Sequence, residues 1–188
     1  MTDAIAVVIG VDIGTTSTKA VVFDTAGRVV AHHAVEYPLL TPTPAAAEQD
    51  PDEIHRAVLT AIQAAVRKAG AAPGDVVCVA FSAAMHSLIA VDADGRPLTR
   101  SITWADSRAA DWAEHIKRDR GGLAIYQRTG TPIHPMSPLA KLVWLRQEQP
   151  EVFTRAVRFV GIKEYVFFRL FKRYVVDYSI ASATGLFN

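Results

Sequence analysis

A turn crowded with hydroxyl groups separates two apolar runs near the start of this chain. The runs cover residues 4–11 and 19–24, and β-branched residues dominate the first of them. A continuous run of this kind is typical of a strand that is buried on both faces. The pattern therefore predicts two adjacent strands joined by a tight polar turn, a β-hairpin spanning residues 7–24.

Further elements follow the hairpin in an order that favours an α/β fold. A third strand over residues 28–37 ends at Pro38, and residues 39–49 are interpreted as a surface crossing. A helix then begins with Asp50 as its cap and Pro51 at its first position, and Gly70 ends it. Next come a buried strand over 76–81 and a turn over 92–95, followed by helices over 106–117, 137–149 and 161–171. We predict an α/β domain with a mixed sheet flanked by helices.

Bulk composition limits the partners of the chain. Its 188 residues include 20 Lys and Arg against 19 Asp and Glu, a net charge of +1, so no general field attracts nucleic acid or an anionic membrane. The first apolar run is too short for a membrane span and lacks the basic start of a signal peptide. The single cysteine, Cys78, lies in the apolar run 76–81 and is predicted to be a core residue in a reducing compartment. We expect a cytoplasmic protein with a small-molecule partner, without nucleic acid or membrane partners, and leave a homodimer open.

The turn also carries the groups that a polyphosphate requires. A glycine lets the backbone approach an anion, the hydroxyls and turn N–H groups donate to phosphate oxygens, and a lysine adds positive charge. Asp12 is suited to hold a Mg²⁺ ion or its waters, which neutralise phosphate. The alternative is an ordinary Gly-Thr hairpin with a capping Asp. The candidate phosphate-binding residues are Gly14, Thr15, Thr16, Ser17 and Lys19.

Two motifs resemble known families. No Walker-type loop and no Gly-x-Gly-x-x-Gly motif occurs, but residues 12–17 are similar to the first phosphate loop of the actin-like ATPase superfamily. Residues 136–148, MSPLAKLVWLRQE, resemble the signature of the FGGY carbohydrate kinases, and residues 48–51, 104–108 and 177–182 resemble other blocks of that family. The resemblance implies an actin-like ATPase (ribonuclease H-like) domain that uses ATP and Mg²⁺. The signature and the Met85-His86 pair speak against a chaperone of the same superfamily.

The family resemblance also implies which residues contact the sugar. Met85 and His86 follow the fourth strand, where glycerol kinases carry Arg-Glu and xylulose and gluconate kinases carry Met-His. Trp104 and Asp106 match a Trp-x-Asp-x-Arg block, and Met136 stands where glycerol kinases have a Tyr. Alternatives remain open, because Trp104 could be a core residue, and Asp106 could cap the following helix or pair with the Arg of that block.

Several longer blocks resemble the gluconate kinases of this family, namely those at 36–44, 129–135 and 161–165. The implied reaction transfers the γ-phosphoryl group of ATP to a terminal hydroxyl, giving 6-phosphogluconate from gluconate. A sugar acid needs a cation or oriented donors for its carboxylate. A kinase of xylulose or another sugar, and an inactive sugar-binding module, are the alternatives. The candidates for holding the carboxylate are His86, Arg108, His134 and Lys163.

The same resemblance implies that part of the active site lies elsewhere. We expect residues 1–188 to be an N-terminal domain that is itself incomplete, with the C-terminal nucleotide-binding domain outside this chain. The general-base Asp of the family is expected beyond residue 188, so no residue here is assigned a catalytic role. The chain alone is therefore expected to be inactive.

Overall fold

A computed structural model describes residues 6–188, so residues 4 and 5 of the predicted first strand lie outside the described residues. The strands are β1 (Val7–Ile13), β2 (Ser17–Asp24), β3 (Val29–Glu36), β4 (Glu48–Gln49), β5 (Val76–Ala83), β6 (Ile89–Val91), β7 (Ser101–Ile102) and β8 (Arg158–Val160). The helices are α1 (Pro51–Lys68), α2 (Ala110–Asp119), α3 (Gly122–Thr129), α4 (Pro138–Glu148), α5 (Pro150–Arg155), α6 (Ile162–Phe171) and α7 (Tyr178–Ser182).

The chain divides into two compact units. The first contains the described residues up to Pro38 together with Asp52–Ala83, and the second contains Leu39–Pro51 together with Ala84–Asn188. Neither unit is continuous in sequence, because the chain leaves the first unit after Pro38 and returns to it at Asp52. No helix within residues 6–188 is both long and apolar enough to cross a membrane.

The first unit is built on a four-stranded sheet with the order β3-β2-β1-β5. β1 pairs with β2 in antiparallel fashion and with β5 in parallel fashion, so the predicted mixed sheet is confirmed. Alternate residues of β1, from Val7 to Ile13, are buried. Ile62 and Val66 of α1 line one cavity with Ile9 and Val79, so the apolar stripe of α1 lies over this face of the sheet.

Strand β5 differs from the prediction of a buried strand over residues 76–81. Cys78 is exposed, and Val77 retains 72% of its accessible surface, so the assignment of Cys78 to the core is wrong. The residues that pair with Val8 and Gly10 of β1 are Cys78 and Ala80, and these alternate residues point away from the face that α1 covers. The apolar run over residues 76–81 therefore forms a strand with one exposed face.

The second unit combines two small sheets with a helical core. β4 pairs with β7, and β6 pairs with β8, both in antiparallel fashion. The core between the helices includes Leu88, Ile102, Ala113, Ala140 and Leu145, all nearly inaccessible to solvent. The interpretation of residues 39–49 as a surface crossing is wrong for its last part, since Ala46 and Ala47 are buried and β4 follows them.

The helices of the second unit follow the predictions with specific differences. α4 and α6 begin and end within one residue of the predicted positions. α2 begins at Ala110 and not at residue 106, because the Asp106 carboxylate binds the backbone of another segment. The short helices α3, α5 and α7 were not predicted. The predicted turn at 92–95 is confirmed by the Gly95 N–H, which donates to the Asp92 carbonyl at 3.1 Å.

Candidate functional site

The turn between β1 and β2 forms a closed hairpin loop. The Gly14 N–H donates to the Ser17 carbonyl at 2.9 Å, and Ile13 and Thr18 are directly paired below it. A Cβ atom added at Gly14 would lie 3.1 Å from the Ser17 oxygen, so the loop leaves little room for a side chain here. The glycine is needed because the hairpin approaches itself closely.

Tyr37 braces this loop, and sequence reasoning missed it. Its phenol donates to the Gly14 carbonyl at 2.7 Å and lies 3.2 Å from the Thr18 hydroxyl, while its N–H donates to the Thr16 carbonyl. Burial raises the pKa of Tyr37 to about 12, although the Thr18 hydrogen bond opposes this and the Asp12 charge adds to it. The phenol is therefore a permanent donor. The only available signal was a tyrosine at the end of a predicted strand.

Asp12 and Lys19 are the charged residues beside the loop. They are direct partners in the β1–β2 register, so their side chains lie on the same face of the hairpin. Both are exposed, and both line an open depression of about 380 Å³ with Gly10 and Ser82. The depression has a carboxylate and an ammonium at its edge.

Asp12 provides one ligand of the kind that Mg²⁺ uses. Within residues 6–188 no group of three or more His, Cys, Asp or Glu residues could enclose a metal. Mg²⁺ usually keeps several waters and binds one or two carboxylates together with substrate phosphates. An exposed single carboxylate next to a hydroxyl-rich loop fits that mode of binding.

Met85 and His86 form a turn directly after β5, as the sequence predicted. His86 has a left-handed backbone with φ of 66°, which is uncommon for a residue other than glycine. Burial lowers the pKa of His86, and the Lys141 charge lowers it further. The Nδ1 atom of His86 is buried without a hydrogen-bond partner. His86 is thus a mainly neutral imidazole held in a constrained turn.

A small cavity of about 80 Å³ lies beside this turn, lined in part by His86, Ser87, Lys163 and Glu164. The Ser87 hydroxyl accepts a hydrogen bond from the N–H of Ile162 at 2.9 Å, which ties the turn to the start of α6. Burial raises the pKa of Glu164. Lys163, a candidate for a substrate carboxylate, forms an ion pair with Asp177.

Trp104 and Asp106 lie in one turn after β7 but in different environments. Trp104 is half exposed, whereas Asp106 is buried. One Asp106 oxygen accepts from the Ala47 N–H at 2.9 Å, and the carboxylate pairs with Arg108 at 2.7 Å. Of the two alternatives for Asp106, the pairing with Arg108 is confirmed. The alternative in which Asp106 caps the helix is wrong, since α2 begins after Ala109. The predicted contact of Asp106 with the sugar stays a prediction.

Arg108 connects this turn to β4. Its guanidinium lies 2.6 Å from a Glu48 oxygen and 2.7 Å from Asp106, and it stacks 4.5 Å from the ring centre of Trp144. Carboxylates on two sides raise the pKa of Arg108 against the effect of burial. Planar, doubly paired and stacked contacts of this type suit arginine and not lysine.

Met136 and His134 precede α4 in a turn. The Met136 N–H donates to Nδ1 of His134 at 3.2 Å, which makes that ring nitrogen an acceptor. Met136 is half-buried and His134 is exposed. The predicted roles of Met136 and His134 at the sugar stay predictions.

Lys141 is the second residue that sequence reasoning missed. It lies in α4 and is fully buried, and its ammonium donates to the His86 carbonyl at 2.6 Å and to the Thr103 carbonyl at 2.7 Å. Burial lowers the pKa of Lys141 to about 7, with the Asp106 charge raising it and the Arg108 charge lowering it. Its place in the 136–148 block was the available signal.

The predicted site residues thus fall into two groups. The phosphate-loop residues lie in the first unit, and all the predicted sugar-contacting residues lie in the second. Within the second unit, Lys141 links the turn of His86 to the turn that begins at Thr103.

Comparison with known proteins shows which family of proteins this chain is similar to. The model of the FGGY family of carbohydrate kinases, N-terminal domain, matches residues 7–188. The gluconokinase of Bacillus subtilis is 50% identical over 181 residues, which are 96% of this chain and 35% of that protein. The chain therefore spans about a third of the length of the curated relatives it matches.

Solved structures agree with the predicted fold. The gluconate kinase of Lactobacillus acidophilus has a TM-score of 0.93 and 40% identity, covering 98% of this chain and 37% of that one. A xylulose kinase from the same organism has the same TM-score and identity, covering 97% and 37%. The predicted α/β fold of the actin-like ATPase type is confirmed. Because the N-terminal domain model matches nearly the whole sequence, this chain belongs to the FGGY family of carbohydrate kinases.

Proposed function

We propose that this chain is the N-terminal part of an ATP-dependent kinase that phosphorylates a terminal hydroxyl of gluconate, giving 6-phosphogluconate. The observation that carries the proposal is the 50% identity to a gluconokinase over 96% of the chain. Kinases of this family use ATP. The C-terminal nucleotide-binding domain and the general-base aspartate lie, in this proposal, outside residues 1–188.

The hairpin loop serves the phosphate end of the reaction. Gly14, Thr15, Thr16 and Ser17 offer backbone N–H groups and hydroxyls, and Lys19 supplies positive charge. Asp12 holds Mg²⁺ through its carboxylate or through the waters of the ion. The metal, when bound, neutralises charge on the phosphates. The chain's own task is to keep these donors fixed, which the Tyr37 hydrogen bonds to Gly14 and Thr16 support.

The sugar is proposed to contact Met85, His86, Trp104 and Met136. The neutral His86 imidazole offers its unpartnered Nδ1 as an acceptor to a hydroxyl, and Met85 and Trp104 offer apolar surface to the carbon chain. Asp106 belongs to this group by resemblance, and its buried contacts with Ala47 and Arg108 suit a role in holding Trp104 in place.

The carboxylate of gluconate needs a donor that is not already engaged by an acid. Arg108 is paired with Asp106 and Glu48, and Lys163 is paired with Asp177. The His134 Nδ1 accepts from the Met136 N–H, so the other ring nitrogen of His134 carries a proton that it can donate. We therefore favour His134 among the four candidates for this contact.

An assay of the complete gene product that carries this chain tests the proposal. With ATP and Mg²⁺, gluconate, xylulose, ribulose and glycerol are compared as acceptors by the rate of ADP formation. We expect the highest kcat/KM for gluconate. A preference for xylulose would show that gluconate is the wrong substrate, but the assignment as a carbohydrate kinase would remain.

Xylulose is the second candidate because a xylulose kinase shares the TM-score of 0.93 and the 40% identity of the gluconate kinase. An inactive sugar-binding module would bind gluconate without forming ADP, so calorimetric titration separates it from an active kinase. We further propose a cytoplasmic location and a small-molecule partner, without nucleic acid or membrane partners; a homodimer is tested by light scattering.

A further inference from the structure

A buried lysine in α4 joins two of the turns that carry proposed sugar-contacting residues. Lys141 is fully buried, yet its nitrogen donates to the carbonyls of His86 and Thr103. We propose that Lys141 is a positioning residue of the sugar site, which fixes the His86 and Trp104 turns relative to one another through these two carbonyls. The inference rests on the function proposed above.

Each of the two carbonyls that accept from Lys141 lies in a turn next to a proposed sugar-contacting residue or belongs to one. The His86 carbonyl belongs to a residue with a left-handed backbone, φ of 66°, a conformation that is unfavourable for a residue with a side chain. The Thr103 carbonyl belongs to the peptide whose nitrogen is that of Trp104. Neither turn is a regular strand or helix at these residues, so the hydrogen bonds from Lys141 supply a restraint that secondary structure does not.

Backbone contacts hold the segments that flank the two turns, and Lys141 joins the turns themselves. The Thr103 N–H and hydroxyl both donate to the Ala47 carbonyl, and Ala47 donates to Asp106. These bonds fasten the second turn to residues before β4. The residues flanking the turns are also paired, since Leu88 and Ile102 exchange two backbone hydrogen bonds. Lys141 adds the contact nearest to His86 itself.

The charge state of Lys141 does not decide this role. Burial and the Arg108 charge favour the neutral amine, and the Asp106 charge favours the ammonium. An ammonium has three N–H donors and a neutral amine has two, which is the number of carbonyls that Lys141 serves. A substitution that removes the N–H donors of Lys141 therefore tests this role, whereas deprotonation of Lys141 does not.

The test compares Lys141→Met with Leu145→Met in the complete gene product. Methionine has a similar length to lysine without a donor, and Leu145 is buried one turn further along α4 without a polar side chain. Amide hydrogen exchange is measured at residues 86–88 and 103–105, together with KM for the sugar and for ATP.

We expect Lys141→Met to accelerate exchange in both segments by ~10-fold or more, and to raise KM for the preferred sugar by a similar factor with KM for ATP changed less than about 2-fold. Leu145→Met should leave these segments unchanged. Unchanged exchange in Lys141→Met overturns the inference, and so does a sugar KM equal to that of the wild type. If none of the sugars is phosphorylated, the proposed function fails, and the exchange result still decides whether Lys141 positions the turns.

Discussion

The phenolic oxygen of Tyr37 donates a 2.7 Å hydrogen bond to the carbonyl of Gly14, at the tip of the hairpin formed by β1 and β2. This bond comes from the residue after β3, so it joins the third strand of the sheet to the loop between the first two. Gly14 needs no unusual backbone angle, and Tyr37 instead restrains the loop from outside.

Tyr37→Phe is expected to lower the free energy of unfolding of the chain by about 1–2 kcal/mol, because the part-buried Gly14 carbonyl loses its side-chain donor. Urea denaturation followed by circular dichroism measures the change. Tyr126→Phe is the matched control, since Tyr126 is 46% exposed, and we expect it to change stability by less than about 0.5 kcal/mol. Equal effects of the two substitutions would contradict the role of Tyr37.

Lys141 predicts a specific pH dependence of stability. Its pKa in the folded protein is about 7, below its ordinary value of 10.5, because of burial. The folded state therefore binds fewer protons than the unfolded state above pH 7, and unfolding becomes harder as pH rises towards 10. The wild type should gain roughly 1 kcal/mol per pH unit relative to Lys141→Met between pH 7.5 and 9.5. Urea titrations at three pH values measure this difference, and a constant difference would refute the low pKa.

Arg108→Lys should destabilise the second unit, because lysine keeps the charge but loses the two-sided contact with Asp106 and Glu48 and the stacking on Trp144. We expect a loss of about 2–3 kcal/mol. Arg96→Lys is the control, since Arg96 pairs with Asp94 in solvent and should change stability by less than about 0.5 kcal/mol. Thermal unfolding measures the stability of the two variants. An Arg108→Lys variant as stable as the wild type would argue against a stabilising role of the Arg108 contacts with Asp106, Glu48 and Trp144.

Cys78 should react in the native chain. Because the thiol is exposed on β5, a colorimetric disulfide reagent should modify one thiol per 188-residue chain without denaturant, at a rate within about 10-fold of that in urea. Cys78→Ser is the control for background reaction. Protection of the thiol until the chain unfolds would indicate that β5 is covered.

The isolated 188-residue chain is predicted to show no ATP-dependent phosphorylation of gluconate. The prediction follows from the expected position of the general base beyond residue 188 and from the coverage of 35% of the related gluconokinase. ADP release is compared with that of the complete gene product at equal concentration. Turnover by the isolated chain would show that a residue within it acts as the base.

Local sequence patterns predicted the elements whose signals are themselves local. The hairpin, the start of α1 at Pro51 and the start of α4 at Pro138 all appear where turn chemistry and helix capping indicate them. The burial of Ala46 and Ala47 was missed because it depends on Asp106, whose carboxylate binds the Ala47 N–H from 59 residues away. A strand of two residues, such as β4, has no periodicity to detect.

In the candidate site, too, local patterns were predicted and long-range contacts were missed. Family blocks named His86 and Asp106 as candidates, whose contact with the sugar stays a prediction, and the pairing of Asp106 with Arg108 was an explicit alternative. Lys141 and Tyr37 were missed, since a lysine in an amphipathic helix is usually expected on the solvent face and a tyrosine at a strand end usually marks packing. Cys78 was misassigned because an apolar run does not reveal whether a helix covers one face of a strand or both.

The discontinuous units have a consequence for the order in which the chain can fold during synthesis. Every described residue of the first unit has been made once Ala83 leaves the ribosome, so its sheet and α1 can assemble early. Residues 39–51 are made before Asp52 but must wait for β7 and Asp106, to which they bind. This segment therefore lacks its partners while residues 52–106 are being made, and pauses before residue 106 should favour its capture by chaperones.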